Sequence, residues 1–244
     1  MRVAVMVTCV NDAAYPNAAV ATVQLLRRLG VDVTLPTAQT CCGQPFINNG
    51  FVREALPVMR NFAQAFAGFD AVVTPSGSCA STVRHQHGPV AQRAADPELQ
   101  TALADLAPRV YELSEFIVDV LGLEDVGASF PHRVVYHPTC HSLRALGVGD
   151  RPTRLLQAVE GLELAELSDA EQCCGFGGTF AVKNPDVSIA VGKDKVRAVV
   201  ESGADYVIAS DSSCLMHIGG ILRRDAEPVR TIHLAEVLAA TGRS

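Results

Sequence analysis

The chain has 244 residues, of which 48% are hydrophobic and 19% charged, which is typical of a globular protein with one large domain or two smaller ones. A net charge of −6 without any Lys/Arg-rich run argues against nucleic acid or an anionic membrane as the main partner. The apolar start of the chain is too short for a signal peptide, and no apolar run reaches the roughly 18 residues of a membrane helix. We therefore expect a cytoplasmic protein without a transmembrane segment.

Predicted strands and helices alternate along the chain. In the first half they are a strand over 3–8, a helix over 16–29, a strand over 31–35, a helix over 51–67 and a strand over 70–74. The second half repeats this order, with β-branched runs over 133–137 and 206–209, helices over 152–160 and 185–202, and a strand over 162–167. Short, uniformly apolar strands between helices predict an α/β fold with mainly parallel sheets flanked by helices.

The eight cysteines repeat in step with these elements. Each half has one cysteine, then a Cys-Cys-Gly unit, then a last cysteine, and the set is Cys9, Cys41, Cys42, Cys79, Cys140, Cys173, Cys174 and Cys214. The gap before the pair is 31 residues in one half and 32 in the other. The halves also close alike, with Leu-Ser-Glu-Phe over 113–116 and Leu-Ala-Glu-Val over 234–237. We predict two duplicated halves, 1–127 and 128–244, with extra residues in the first around 85–108.

The predicted topology brings the thiols of each half together. Cys9, Cys79, Cys140 and Cys214 each follow the carboxyl end of a predicted strand, where ligands of open α/β sheets gather. In a reducing cytosol such cysteines indicate metal or redox sites more than disulfides. We therefore predict that all eight bind metal or cofactor.

The spacing of the thiols bears on the kind of metal. Structural zinc sites usually use Cys-x2–4-Cys pairs, which this chain lacks. Adjacent cysteines point apart and suit two iron atoms of an iron–sulfur cluster better than two corners of one zinc ion. The pattern favours iron–sulfur over zinc, and both over long-range disulfides or inert buried thiols.

The duplicated Cys-Cys-Gly arrangement resembles the cysteine-rich domains of heterodisulfide reductase and of the glycolate oxidase iron–sulfur subunit. The segments Cys-Cys-Gly-Gln-Pro (41–45), His-Pro-Thr-Cys (137–140) and Cys-Cys-Gly-Phe-Gly-Gly-Thr-Phe (173–180) are similar, more closely, to the lactate utilization protein A family. The resemblance spans essentially the whole chain. It implies an iron–sulfur component of a multi-subunit system that oxidises L-lactate to pyruvate, with a ferredoxin-type subunit and a third companion as partners.

One departure from the related pattern concerns the cofactor. In heterodisulfide reductase the last segment of each half is Cys-x-x-Cys, whereas this chain has Ser76 and Asp211 at the first of those positions. Four thiols per half suffice for a [4Fe–4S] cluster, so we expect up to one such cluster in each half. Asp211 is either an oxygen ligand or, more commonly for such a residue, the cap of a turn.

Histidines beside the cysteines are further candidates. His137, His141 and His217 could each donate to a cluster, ligate it or move a proton, and none is assigned a catalytic role. His85 and His87 are expected in a solvated loop, and Lys193 and Lys195 on a solvated helix face or near an anionic substrate.

Two other functions stay open at this point. The alternatives to an iron–sulfur component are a zinc-stabilised, non-catalytic assembly subunit and a thiol–disulfide enzyme with vicinal thiols. If the protein is the iron–sulfur component, its small 2-hydroxy acid substrate is lactate or a relative such as glycolate.

Overall fold

The structure, a computed structural model, describes residues 1–242. The first half contains β1 (Arg2–Val5), α1 (Cys9–Ala14), α2 (Pro16–Arg28), β2 (Asp32–Thr34), α3 (Gln44–Asn48), α4 (Val52–Ala65), β3 (Ala71–Thr74), α5 (Gly77–Ser81), α6 (His87–Arg93), α7 (Pro97–Leu106), β4 (Val110–Glu112) and α8 (Leu113–Glu115). π-Helical turns over Thr82–Gln86 and Phe116–Val120 join α5 to α6 and extend α8, and a 3-10 turn over Ala107–Arg109 precedes β4.

The second half follows the same plan. It contains β5 (Arg133–Tyr136), a π-helical segment (His141–Leu146), α9 (Arg151–Gln157), β6 (Glu163–Leu164), α10 (Phe180–Lys183), α11 (Pro185–Glu201), β7 (Tyr206–Ala209), α12 (Ser212–Arg224), β8 (Arg230–His233) and α13 (Leu234–Ala239). In the described part of the chain, no helix is both long enough and apolar enough to cross a bilayer.

Each half forms a four-stranded parallel sheet, with the order β2-β1-β3-β4 in the first and β6-β5-β7-β8 in the second. The central strands are apolar and buried, as strands covered on both faces must be. The predicted fold class, two similar α/β halves with parallel sheets and helices around them, is confirmed. The division into domains at residues 127 and 128 falls between the sheets and stays a proposal, and residues 243–244 lie outside the described residues.

The halves share one hydrophobic core. It joins Val3, Val5 and Phe116 of the first half to Val134 and Leu234 of the second, among others. Helix α13 packs against α2, and α8 packs against α9, so the same kind of contact occurs twice across the junction. Such reciprocal contacts are those of two units related by an approximate twofold axis.

Several elements differ from the sequence prediction. The first strand ends at Val5 rather than at residue 8, because Thr8 caps α1 by accepting a hydrogen bond from the Asn11 N–H at 3.2 Å. The residues around Cys79 and Cys214 form α5 and α12, which the sequence pattern did not predict. The extra residues of the first half are α6 and α7.

Candidate metal centres

Three chain segments bring the thiols of the first half together at the carboxyl end of its sheet. Cys9 begins α1, and Cys79 lies in the first turn of α5. Cys41 and Cys42 lie in the loop after β2, and this loop ends at Gly43, whose φ of +86° suits glycine. The thiols of Cys9 and Cys41 are 3.6 Å apart, and Cys42 and Cys79 are buried beside them. These four predicted ligands therefore form one group.

Two side chains fix the loop that carries the cysteine pair. Gln39 accepts a hydrogen bond from the Val7 N–H at 2.7 Å and donates to the Val5 carbonyl at 3.2 Å. The His87 ring lies 2.8 Å from the Cys42 carbonyl, so its Nε2–H donates there, and burial lowers the pKa of His87 to about 4. The expectation that His87 belongs to a solvated loop was wrong, since it is fully buried in α6, whereas His85 is exposed.

The protonation of the first group is uneven. Hydrogen bonds from the Cys42 and Cys9 thiols, with the Gly43 N–H at 3.4 Å, lower the pKa of Cys41 to about 3. The same contacts with Cys41, together with burial, raise the pKa of Cys9 and of Cys42. The Cys41 thiol therefore loses its proton more readily than the Cys9 and Cys42 thiols beside it.

The second half repeats this arrangement with Cys140, Cys173, Cys174 and Cys214. Cys140 precedes the π-helical segment, and Cys214 lies in the first turn of α12. Hydrogen bonds from the Cys140 and Cys174 thiols, with the Gly175 N–H at 3.3 Å, lower the pKa of Cys173 to about 2. Contacts with Cys173 raise the pKa of Cys140 and of Cys174. Cys9 and Cys173 are exposed, so each group reaches the surface.

A buried lysine supports the second group. Lys195 is fully buried, and its Nζ donates to the Asp169 and Ala170 carbonyls at 2.6 and 3.2 Å. Burial lowers its pKa, while Asp169 and the sulfurs of Cys174 and Cys173 favour its charged form. Lys195 thus holds the loop before Cys173 and places positive charge near the thiols. The expectation of a solvated helix face was wrong for Lys195, while Lys193 is exposed.

The glycine of the second pair is required by crowding. Gly175 has a φ of +91°, and a Cβ there would lie 2.4 Å from the Ser188 carbonyl oxygen. At Gly192 of α11, a Cβ would lie 2.4 Å from Ile221 Cδ1. Helix α11 therefore packs tightly over the Cys173-Cys174 loop, where His217 also contacts Ser188.

Histidine also enters the second group. A ring nitrogen of His137 and the sulfurs of Cys174 and Cys214 all lie within 4.8 Å of one another, and all three residues are buried. Burial lowers the pKa of His137 to about 4, so the ring is neutral. His141 lies at the rim, with its Nδ1 3.7 Å from the Cys140 sulfur.

Ser76 and Asp211 face each other across the junction of the halves. The Ser76 hydroxyl donates to the Asp211 carboxylate at 2.5 Å, and Ser78 and Thr139 donate to it at 2.8 and 2.7 Å. Ser76 also caps α5 by accepting from the Cys79 N–H at 3.3 Å. Both carboxylate oxygens of Asp211 are engaged by hydroxyl donors, which argues against Asp211 as a metal ligand, and its side chain does not cap its own helix.

Both cysteine groups lie on one face of the molecule. Gln44, which follows the first Cys-Cys-Gly unit, has its Nε2 3.3 Å from His141 Nε2, beside Cys140. Asn49 accepts hydrogen bonds from Thr179 and Lys183, each at 2.9 Å, so the segments after both Cys-Cys-Gly units meet. All eight cysteines are free thiols, and the 3.6 Å between Cys9 and Cys41 far exceeds the roughly 2.05 Å of a disulfide.

The donor set fits a thiolate-bound metal or cluster. Each half offers four thiols, with a backbone N–H directed at one of them, and the second half adds an imidazole whose two nitrogens have no hydrogen-bond partner within residues 1–242. Soft thiolate ligands of this kind select zinc or iron–sulfur clusters.

Comparison with known proteins agrees with this duplicated site. The family model of the cysteine-rich domain matches residues 3–84 and 134–219. The chain is 49% identical to lactate utilization protein A of Geobacillus kaustophilus over 98% of this chain and 99% of that protein. It is 43% identical to the protein of the same name from Oceanobacillus iheyensis, over 98% of this chain and 96% of that one. Among solved structures, a putative Asp/Glu racemase from Yersinia pestis aligns over 98% of this chain and 96% of that one, with 10% identity and a TM-score of 0.35, too low to carry an argument.

Proposed function

Since this chain belongs to the lactate utilization protein A family and carries two cysteine-rich domains, we propose that it is an iron–sulfur oxidoreductase component in the oxidation of L-lactate to pyruvate. Each half would hold one cluster, of the [4Fe–4S] type, through its four cysteines. The observation that carries the proposal is the grouping of four thiols, twice, at the carboxyl ends of two parallel sheets.

The protein's own residues would hold and shield the cofactor. Cys42, Cys79, Cys174 and Cys214 supply buried ligands, while the Gly43 and Gly175 N–H groups donate to sulfur. A bound cluster supplies one-electron transfer, and its potential depends on such hydrogen bonds and on exposure. Oxidation of a 2-hydroxy acid to the 2-oxo acid releases two electrons and two protons, and the electron pair can be divided between the halves.

The exposed edge of the site suits electron transfer to another protein. Apolar side chains lie on the segments after both Cys-Cys-Gly units, with Phe46 37%, Phe180 38% and Val182 82% exposed. Because Asn49 joins these two segments, they form one surface next to the thiols. We infer that this surface meets a ferredoxin-type iron–sulfur subunit or a third companion subunit of the lactate system.

Anaerobic purification and reconstitution with iron and sulfide test the cofactor. We expect a brown protein in which iron and acid-labile sulfide approach eight of each per chain, since a [4Fe–4S] cluster holds four of each. Cys140→Ser should halve both contents, because it removes one ligand of a single group. A colourless protein with stoichiometric zinc would refute the proposal. Assays of the assembled system with L-lactate and glycolate then decide the substrate.

A zinc-stabilised assembly subunit is the second candidate, and one distance favours it. Two thiolates on a tetrahedral zinc ion, with bonds of about 2.3 Å, lie about 3.8 Å apart. The sulfurs of Cys9 and Cys41 are separated by 3.6 Å. Under this alternative the same metal analysis finds about two zinc ions and no sulfide.

A further inference from the structure

The two halves differ at one buried position next to the thiols. The Met6 N–H donates to the Val73 carbonyl at 2.9 Å, and the His137 N–H donates to the Ile208 carbonyl at 2.8 Å. Each residue directly follows the central strand β1 or β5 and precedes the first cysteine of its half by three positions. Met6 is 0% and His137 1% exposed. One half therefore has a thioether where the other has an imidazole.

The His137 ring is buried without a hydrogen-bond partner in the described part of the chain. Neither ring nitrogen forms a hydrogen bond within residues 1–242. The Ala170 carbonyl lies close enough to favour a proton on the ring, although outside hydrogen-bonding geometry. A buried polar group without a partner carries a desolvation cost that no hydrogen bond offsets. Such a cost at the edge of a thiol group points to an interaction that the protein alone does not supply.

The neighbours of the ring are those of a metal-binding histidine. A ligating imidazole binds through one nitrogen while the other N–H faces a carbonyl or carboxylate. Around His137, one ring nitrogen lies within 4.8 Å of the sulfurs of Cys174 and Cys214, and the Ala170 carbonyl provides a nearby acceptor. Among the described residues, this is the one set of three such ligand atoms that lie so close together.

We propose that His137 is a nitrogen ligand of the metal held by the second cysteine group, so that the two centres have different donor sets. The inference rests on the proposed function in requiring a metal in each half. The first centre is bound by its four thiols alone, with Met6 packed beside it, and the second by its four thiols and, as a fifth donor, one imidazole nitrogen.

Electron spin-echo measurements on protein labelled with ¹⁵N-histidine test this ligand. The reduced, iron- and sulfide-reconstituted protein should show a strong ¹⁵N coupling, and His137→Met should lose it. Methionine occupies the equivalent buried position after β1, so the variant should fold, which circular dichroism checks. Met6→Leu is the matched control and should keep the coupling.

His141 is the competing source of nitrogen, because its Nδ1 is 3.7 Å from the Cys140 sulfur. A coupling that persists in His137→Met and disappears in His141→Gln overturns the proposal, as does its absence from the wild-type protein. Iron and sulfide contents report separately on the proposed function. If they show no cluster, the same comparison on protein loaded with Co²⁺, a paramagnetic substitute for zinc, still decides whether His137 ligates.

Discussion

Replacement of Asp211 by alanine should destabilise the protein by breaking the contact between its halves. The carboxylate is 2% exposed and accepts from the hydroxyls of Ser76, Ser78 and Thr139 at 2.5, 2.8 and 2.7 Å. A hydrogen bond to a charged group contributes roughly 1.5–3 kcal/mol. Three independent bonds would then give about 4.5–9 kcal/mol, an upper limit for the loss.

Two effects reduce that limit. Removing a buried charge recovers part of its desolvation cost. The freed hydroxyls also have other partners, because Ser76 lies 3.1 Å from Ser78 and Thr139 lies 2.9 Å from Ser142. We therefore expect Asp211→Ala to lower the free energy of unfolding by about 2–4 kcal/mol. Asp211→Asn, which keeps one acceptor oxygen, should lose about half as much.

Equilibrium urea unfolding of the metal-free protein, followed by circular dichroism, measures this loss. Asp225→Ala is the matched control, because Asp225 is exposed at the other end of α12 and should change stability by less than about 0.5 kcal/mol. An Asp211→Ala protein that unfolds at the wild-type urea midpoint would show that the junction does not depend on the carboxylate. If Asp211→Asn instead loses metal from the second half while stability is unchanged, Asp211 is a ligand.

Two further predictions concern packing and pH. Gly192→Ala should lower the free energy of unfolding by more than about 1 kcal/mol, because its Cβ would lie 2.4 Å from a side-chain carbon of α12. The control is Gly220→Ala, whose Cβ meets no atom within 4 Å and which should raise the free energy of unfolding by up to about 1 kcal/mol. Thermal unfolding compares the two, and equal melting temperatures would contradict the predicted crowding. Burial raises the pKa of Glu112 from 4.5 to about 7, so the folded state holds this proton more tightly than the unfolded state, and stability falls as pH rises from about 4.5 through 7. This decrease in the free energy of unfolding amounts to at most about 3 kcal/mol, and Glu112→Gln should abolish it. If the free energies of unfolding of the two proteins change with pH in parallel, the prediction is refuted.

The sequence predicted regular elements best where local signals agree. The helix expected over 185–202 is Pro185–Glu201, because proline suits a first helical turn and the buried positions recur at helical spacing. The similar ends of the two halves are visible in the sequence, but their reason is visible only in the structure. They are capping boxes, in which Glu115 and Glu236 accept from the N–H of residues 112 and 233 at 3.0 and 3.2 Å.

Local signals were weakest around the cysteines. The helices after β3 and β7 begin in Ser-Gly-Ser-Cys and Asp-Ser-Ser-Cys, whose small polar residues favour turns when read alone. Each helix begins three residues after the last residue of a buried strand, and Ser76 caps the first of them by accepting from the Cys79 N–H at 3.3 Å. The grouping of the thiols followed from topology alone, since strand ends of a parallel sheet meet at one edge.

The supporting residues of the site could not be predicted from neighbours in the chain. His87 reaches the Cys42 carbonyl across 45 residues, and Asp211 reaches Ser76 across 135. The burial of Lys195 could have been predicted from the sequence, because Lys195 lies on the same face of its helix as the buried residues Ser188, Gly192 and Val199. A lysine on such a face indicates buried acceptors, here the Asp169 and Ala170 carbonyls.

The contact between Ser76 and Asp211 also bears on why the two halves are joined in one chain. The two residues occupy equivalent positions, before the helices that carry Cys79 and Cys214, and they touch each other across the junction. In a symmetric dimer of a single half, such a position would face its own copy, and two aspartates so close could not both stay ionised. In the fused chain the first half has a serine at this position, whose hydroxyl donates a hydrogen bond to the aspartate of the second half. The covalent link thus allows a buried, charged contact between the halves that a homodimer could not form, and it lets the residues beside the two cysteine groups differ, as Met6 and His137 do.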